Sequence, residues 1–154
     1  AHAVLLSFPG VPAVYIQSIL GSRNDYEGVE KLGYNRAINR KKYSEGQVDS
    51  ELNDDNSLRN KIYQRLSALI AIRRAEKAFH PDSQAYFTQP TEQVLKIVRV
   101  AENGERITGL FNFSDCIQHL TTNIESGQEL IAGVMISGTA LTLNPWQVMW
   151  IKEH

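Results

Sequence analysis

The spacing of apolar residues changes once along this 154-residue chain, at His80–Pro81, and the change divides what each part can fold into. Upstream, Leu58, Ile62, Leu66, Leu69, Ile70 and Arg73 recur at helical intervals. Asn56 or Ser57 stands where an N-cap is needed, so the spacing predicts a helix over Asn56–Glu76 that stops before the His–Pro breaker. Downstream, the apolar runs are short: Ala85–Phe87, Val94–Val100, Ile107–Asn112, His119–Thr122, Leu130–Ile131, Leu141–Leu143 and Val148–Ile151. Turn-forming stretches separate them (QPTEQ, AENGER, ESGQ, ISGT, NPW), which predicts an antiparallel β-sandwich over residues 81–154.

Residues 1–80 read as α/β. In FPGVPAVYI, two prolines and a glycine lead into Ala13–Ile16, a β-branched and aromatic run that predicts a buried parallel strand. Gly21–Gln47 has no steady periodicity and reads as a long loop, a kind of segment that is uncommon in compact domains unless it has a function. Strand, loop and helix make one βα unit. The chain is too short for a complete (β/α)8 barrel of roughly 250 residues. It opens on AHAVLL, which lacks Met and reads as the inside of a helix, as expected of the interior of a longer protein.

With 16 basic and 17 acidic side chains, the chain has no overall charge that would favour nucleic acid or an anionic membrane. Its single cysteine, Cys116, excludes an internal disulfide framework and any CxxC spacing, and a reducing, cytoplasmic setting is expected. No apolar run approaches the ~20 residues of a membrane span, and the opening residues do not read as a signal peptide. His2, His80, His119 and His154 are scattered without metal-ligand spacing, so neither a metal nor another cofactor is expected.

The segment GYNRAINRKKYSEG gathers Arg36, Arg40, Lys41 and Lys42. A guanidinium presents a planar fork of donors that matches phosphate or carboxylate oxygens, so these cations read either as an anion site or as a solvated loop held by Arg–Asp pairs. Asn35 and Asn39 each precede an arginine, and one arginine can bind while the other braces. Asn24 and Asp25, in SRND, directly follow the predicted strand, at the edge where α/β sheets bind ligands; the alternative is an Asx turn. Asp49, Glu51, Asp54 and Asp55 read as charges favouring a helix start rather than as a glycosidase pair. Trp146, Trp150, Tyr86 and Phe87 are expected in the core rather than on a sugar-stacking platform.

Taken together, FPGVPAVYIQSILGSRND and GYNRAINRKKYS resemble the end of the catalytic barrel in the sucrose phosphorylase group of the α-amylase superfamily. Gly10–Tyr15 is similar to that group's eighth barrel strand, Gly21–Asp25 to the loop after it, and Asn35–Ser44 to its R-x-I-N-R segment. The resemblance implies the last βα unit of a (β/α)8 barrel followed by a small β-domain. It also implies a retaining glucosyl transfer from sucrose or a related α-glucoside to inorganic phosphate, giving glucose 1-phosphate. The nucleophilic Asp, the acid/base Glu and a stabilising Asp would lie on earlier barrel strands, so this chain supplies no catalytic residue. What carries over is an acceptor site at Arg36, with Asn35, Arg40, Asn24 and Asp25 beside it and Arg40 as loop brace. Lys41 and Lys42 replace the family's more aromatic or histidine pair, which speaks against sucrose itself, and GSRND leans toward relatives acting on glucosyl glycerate, glucosyl glycerol or sucrose 6'-phosphate. The expected partners are the substrates and the remainder of the barrel, or a second copy. The alternatives are a fragment of an α-amylase-type hydrolase or transglucosidase, and a non-catalytic carbohydrate-binding or structural β-module.

Overall fold

Ser57 begins the longest helix of the molecule. Its Oγ accepts the Asn60 N–H at 2.9 Å, satisfying one of the donors a helix start leaves free. The computed structural model describes all residues 1–154, with this helix running over Leu58–Ala75, inside the predicted span, and carrying Arg73 and Arg74 in its last turn. Four shorter helices precede it: α1 (His2–Ser7), α2 (Ile16–Ile19), α3 (Tyr26–Leu32) and α4 (Glu45–Leu52), which makes the long one α5. No helix is long and apolar enough to cross a membrane. The chain divides into two compact units, one of Ala1–Pro12 with Leu69–His154 and one of Ala13–Ala68.

The first unit is β-rich and antiparallel. Its strands are β1 (Gln84–Thr91), β2 (Val94–Val100), β3 (Arg106–Asn112), β4 (Gln118–Thr121), β5 (Ser126–Glu129), β6 (Val134–Ser137), β7 (Ala140–Leu143) and β8 (Val148–Glu153). Six form one sheet in the order β1-β2-β3-β8-β5-β6, and β4 pairs with β7 in a second. Val94, Leu110, Met149 and Ile151 from the large sheet share an apolar core with Leu120, Leu141 and Leu143 from the small one, and Ile124 completes it. Alternation of inward and outward residues along β7 and β4 is what lets four-residue strands contribute to it.

Two buried arginines tie Leu6–Gly10 into this unit. Arg99, 1% exposed, donates to the carbonyls of Ser7 (3.1 Å), Phe8 (2.9 Å), His80 (2.8 Å) and Ser83 (3.3 Å). Arg73 donates to the carbonyls of Leu6, Phe8 and Gly10. Neither has a carboxylate partner, and burial pushes both pKa values down, that of Arg99 also through repulsion from Arg73. The Leu6 and Ser7 carbonyls, left free at the end of α1, are thereby satisfied. Trp150 adds a bond from its indole N–H to Ser7 Oγ at 2.8 Å and packs its ring 4.9 Å from Phe79.

Several expectations are corrected here. Leu130–Ile131 is not a strand: the buried Glu129 carboxylate accepts the N–H groups of Ile131, Ala132 and Trp150, forcing a turn, and β5 ends just before it. β6 has no counterpart in the sequence reading. Of the four aromatic residues expected in the core, Trp150 alone is fully buried. Tyr86 and Phe87 lie on edge strand β1 and are about half exposed, and Trp146 sits in a turn at φ 58, exposed to 64%.

In the second unit, the strand expected at Ala13–Ile16 does not form. Residues 11–15 are unpaired, Tyr15 is extended (φ −71, ψ 137), and Ile16 starts α2. A strand exists only through hydrogen bonds to a neighbour, and this segment has none to pair with. Tyr15 and Ile16 are correspondingly exposed, at 48% and 57%. The expected loop Gly21–Gln47 is instead divided by local caps: Asp25 starts α3, Gly33 at φ 69 ends it, and Ser44 starts α4. Asp49 and Glu51 belong to α4 rather than to the approach of α5.

Candidate anion site

Asn35–Asn39 winds into a 3-10 helix. The turn is held from outside itself, because the Asp25 N–H donates to the Ile38 carbonyl at 2.7 Å and the Tyr15 hydroxyl donates to the Asn39 carbonyl at 3.0 Å. Gln17 Nε2 donates to the Lys41 carbonyl at 2.9 Å, fixing the chain just beyond. These bonds shape a hollow of about 450 Å³ lined by Tyr15, Asn35, Arg36, Ile38, Asn39 and Arg40.

Arg36 and Arg40 are both exposed, and neither guanidinium makes a hydrogen bond or ion pair. Two unneutralised forks on one concave surface raise the local potential and offer a phosphate or carboxylate paired, charge-assisted bonds. The structure thus brings together Asn35, Arg36 and Arg40 of the residues singled out in the sequence. Asn24 and Asp25 serve the local fold: Asn24 Nδ2 donates to the Tyr26 hydroxyl at 3.2 Å, and Asp25 Oδ1 accepts the Gly28 N–H at 3.1 Å as the α3 cap.

Arg40 does not brace the loop. That work falls to Arg59, 7% exposed in the first turn of α5, whose Nε donates to Glu51 Oε2 at 2.7 Å and whose Nη1 donates to the Leu20 carbonyl at 2.8 Å. Its guanidinium also lies 4.3 Å from the centre of the Tyr43 ring. Burial alone would lower the Arg59 pKa, and the bonds to Glu51 and Tyr43 more than reverse it. Glu51 is held below the usual carboxylate range, first by Arg59 and then by Gln47. Sequence reasoning missed Arg59, Tyr15 and Gln17. One signal was present, since a cation in the first turn of a helix opposes the helix dipole and needs another reason to be there.

No family model matches the chain. Glucosylglycerate phosphorylase of Escherichia coli (strain K12) is 57% identical over 152 residues, which is 99% of this chain and 27% of that protein. Sucrose phosphorylase of Agrobacterium vitis is 36% identical over 80 residues, 52% of this chain and 15% of that protein. The chain spans 26–29% of the length of the three curated glucosylglycerate phosphorylases it matches along nearly its whole extent. Among solved structures, the trehalulose synthase MutB of Pseudomonas mesoacidophila MX-45 superposes with a TM-score of 0.70 at 18% identity, covering 99% of this chain and 37% of that one. This last likeness is one of fold.

Proposed function

Since the chain belongs to the sucrose phosphorylase-like group of the α-amylase superfamily, as a C-terminal part of such an enzyme, we propose that it forms the acceptor side of a retaining glucoside phosphorylase. The intact enzyme transfers a glucosyl unit from an α-glucoside to inorganic phosphate and releases glucose 1-phosphate. Residues 1–80 are the end of its catalytic barrel and residues 81–154 its C-terminal β-sandwich domain. The unpaired, exposed run through Tyr15 and Ile16 supports a neighbouring barrel strand outside this chain. The reacting carboxylates come from that remainder, so the chain by itself turns nothing over. The enzyme works in the cytoplasm, in keeping with the free, exposed Cys116 of this chain.

The observation that carries this reading is the pair of free guanidiniums, Arg36 and Arg40, facing one hollow in the segment that resembles the family's acceptor loop. Arg36 binds the phosphate that attacks the glucosyl-enzyme, Asn35 and Arg40 complete the anion contacts, and Asn24 and Asp25 hold the loop beneath them. The preferred donor is glucosylglycerate rather than sucrose, supported by the 57% identity to the enzyme of that name and by the Lys41–Lys42 pair.

The test is to incubate the intact enzyme with glucosylglycerate or sucrose, with and without phosphate, and measure glucose 1-phosphate. Phosphate-dependent release, faster from glucosylglycerate, is expected; glucose release indifferent to phosphate overturns the reading. Arg36→Ala should cost about 2–4 kcal/mol in kcat/KM for phosphate, as loss of a charge-assisted contact to a desolvated anion does. Arg36→Lys should restore only part of it, because an ammonium cannot make the fork.

A further inference from the structure

The segment that carries Arg36 runs between Leu20 and Tyr43, and one buried side chain binds both of those points. Arg59 reaches the Leu20 carbonyl with Nη1 and sets its guanidinium over the Tyr43 ring, 4.3 Å from its centre, while Glu51 anchors Nε. From this geometry we infer that Arg59 is a positioning residue for phosphate use: it sets the spacing of the two ends of the Gly21–Lys42 loop and, through them, the place of Arg36. The inference rests on the phosphorylase reading for its kinetic consequence, but not for its structural one.

Three observations make Arg59 more than an ordinary buried arginine. Its place in the first turn of α5 is electrostatically unfavourable, so the contacts it makes must outweigh that cost. A loop of this length loses substantial entropy when its ends are fixed, and a single rigid fork supplies that fixation at both. The remaining ties are single exposed side-chain bonds from the stretch before Leu20, Tyr15 to Asn39 and Gln17 to Lys41, and one bond inside the segment, Asp25 to Ile38. They shape the 3-10 turn but do not join Leu20 to Tyr43. The depressed Glu51 pKa is consistent with an ion pair that stays charged through the neutral range. Lysine cannot substitute, because an ammonium has neither a flat face for Tyr43 nor two donors at the required separation.

Arg59 makes no contact with the hollow. Its loss should therefore displace the acceptor arginines without touching the glucosyl-transfer carboxylates. In the intact enzyme, Arg59→Met and Arg59→Lys are each expected to raise the phosphate KM about tenfold to a hundredfold, the range that small misplacement of a binding group produces. The kcat at saturating phosphate should remain within about twofold of the parent, as for loss of binding shared by ground and transition states. Hydrogen exchange of amides in Gly21–Lys42 should accelerate in both variants, and Arg65→Lys, an exposed arginine on the same helix, should change neither readout. A phosphate KM within about twofold of the parent in both variants, or a fall in kcat with KM unmoved, overturns the positioning role. If the parent enzyme makes no glucose 1-phosphate from any glucoside, the phosphorylase reading fails. The exchange measurement then decides alone: unchanged protection of Gly21–Lys42 in Arg59→Met overturns the inference, and lost protection upholds its structural part.

Discussion

Replacing Arg99 with methionine tests whether main-chain carbonyls can justify a buried cation. Exchanging a buried ion pair for apolar side chains is often neutral, because two desolvation penalties vanish together. Arg99 differs, since its acceptors are carbonyls that stay behind. The Ser7 carbonyl loses its one partner, the Phe8 carbonyl keeps only a 3.4 Å bond from Arg73, and the His80 carbonyl retains the Ser83 N–H at 3.0 Å. The carbonyl of half-buried Ser83 loses its 3.3 Å bond as well. These acceptors, left orphaned or nearly so, cost up to about 1–3 kcal/mol each. Relief of burying a cation, and of its repulsion from Arg73, offsets part of this, in the direction of the lowered pKa. The balance is a loss of about 3 kcal/mol, and at an m-value of roughly 2 kcal/mol/M it lowers the urea midpoint by about 1.5 M. The assay is urea unfolding of the chain followed by tryptophan fluorescence, in which the buried Trp150, bonded to Ser7, reports on the same contact. Arg99→Lys should fall between parent and Arg99→Met. A midpoint shift under about 0.5 M for Arg99→Met would refute the argument, because it would mean those carbonyls find water or each other at no cost.

Two further outcomes follow from the same unit. Lys152 bonds Glu76 at 2.6 Å and Glu105 at 3.0 Å, and Glu105 also accepts the Ala78 N–H at 2.8 Å. Burial pushes the Glu105 pKa up, but Ala78 and Lys152 pull it net below 4.5, so its contribution is present above that value and is lost as pH falls through the depressed one. The Lys152 pKa is raised above 10.5, chiefly by Glu76, so its contribution is complete below 10.5 and is lost as pH rises through the raised value. Urea midpoints should therefore be flat between these limits, and Glu105→Gln should flatten the acid limb. Gly127→Ala would set a Cβ 2.6 Å from the Lys152 carbonyl oxygen, between β5 and β8, and should destabilise by about 2 kcal/mol as overpacking against backbone does. Gly133→Ala, at φ 72 with open space around it, should cost about 1 kcal/mol from backbone strain alone, so a larger loss there than at Gly127 would contradict the packing argument.

What could be read from the sequence was what each segment decides for itself. Leu58–Ala75 carries its own cap, period and stop, and Val94–Val100 its own β-branched run, so both were legible to within a residue or two. Leu130–Ile131 and Ala13–Ile16 carry equally good strand composition and are not strands. At the first, a carboxylate one residue upstream takes three N–H groups and makes a turn; at the second, nothing lies beside the segment to pair with. Val134–Ser137 shows the reverse, a short exposed strand defined by its pairing with Ser126–Glu129 rather than by an apolar face.

The candidate anion site was legible as a cluster for a related reason, and the bracing residue was misassigned for the same one. NRAINR announces two arginines whose neighbours, Asn35 and Asn39, give them no counter-charge, and both are found free on one hollow. The sequence offered no means of telling which arginine binds and which braces, because that distinction is a property of surroundings. A guanidinium that must bind an anion has to be kept clear of internal acceptors; one that must brace has to be surrounded by them. Arg40 meets the first condition and Arg59 the second, yet Arg59 lies 39 residues beyond the carbonyl it holds. Only the fold closes that distance, and only an adverse position at the start of α5 marks Arg59 in advance. The same rule accounts for Asp25, conspicuous beside Asn24: its carboxylate is committed to the Gly28 N–H and its own N–H to the Ile38 carbonyl, so it caps α3 and ties that helix to the turn that carries Arg36.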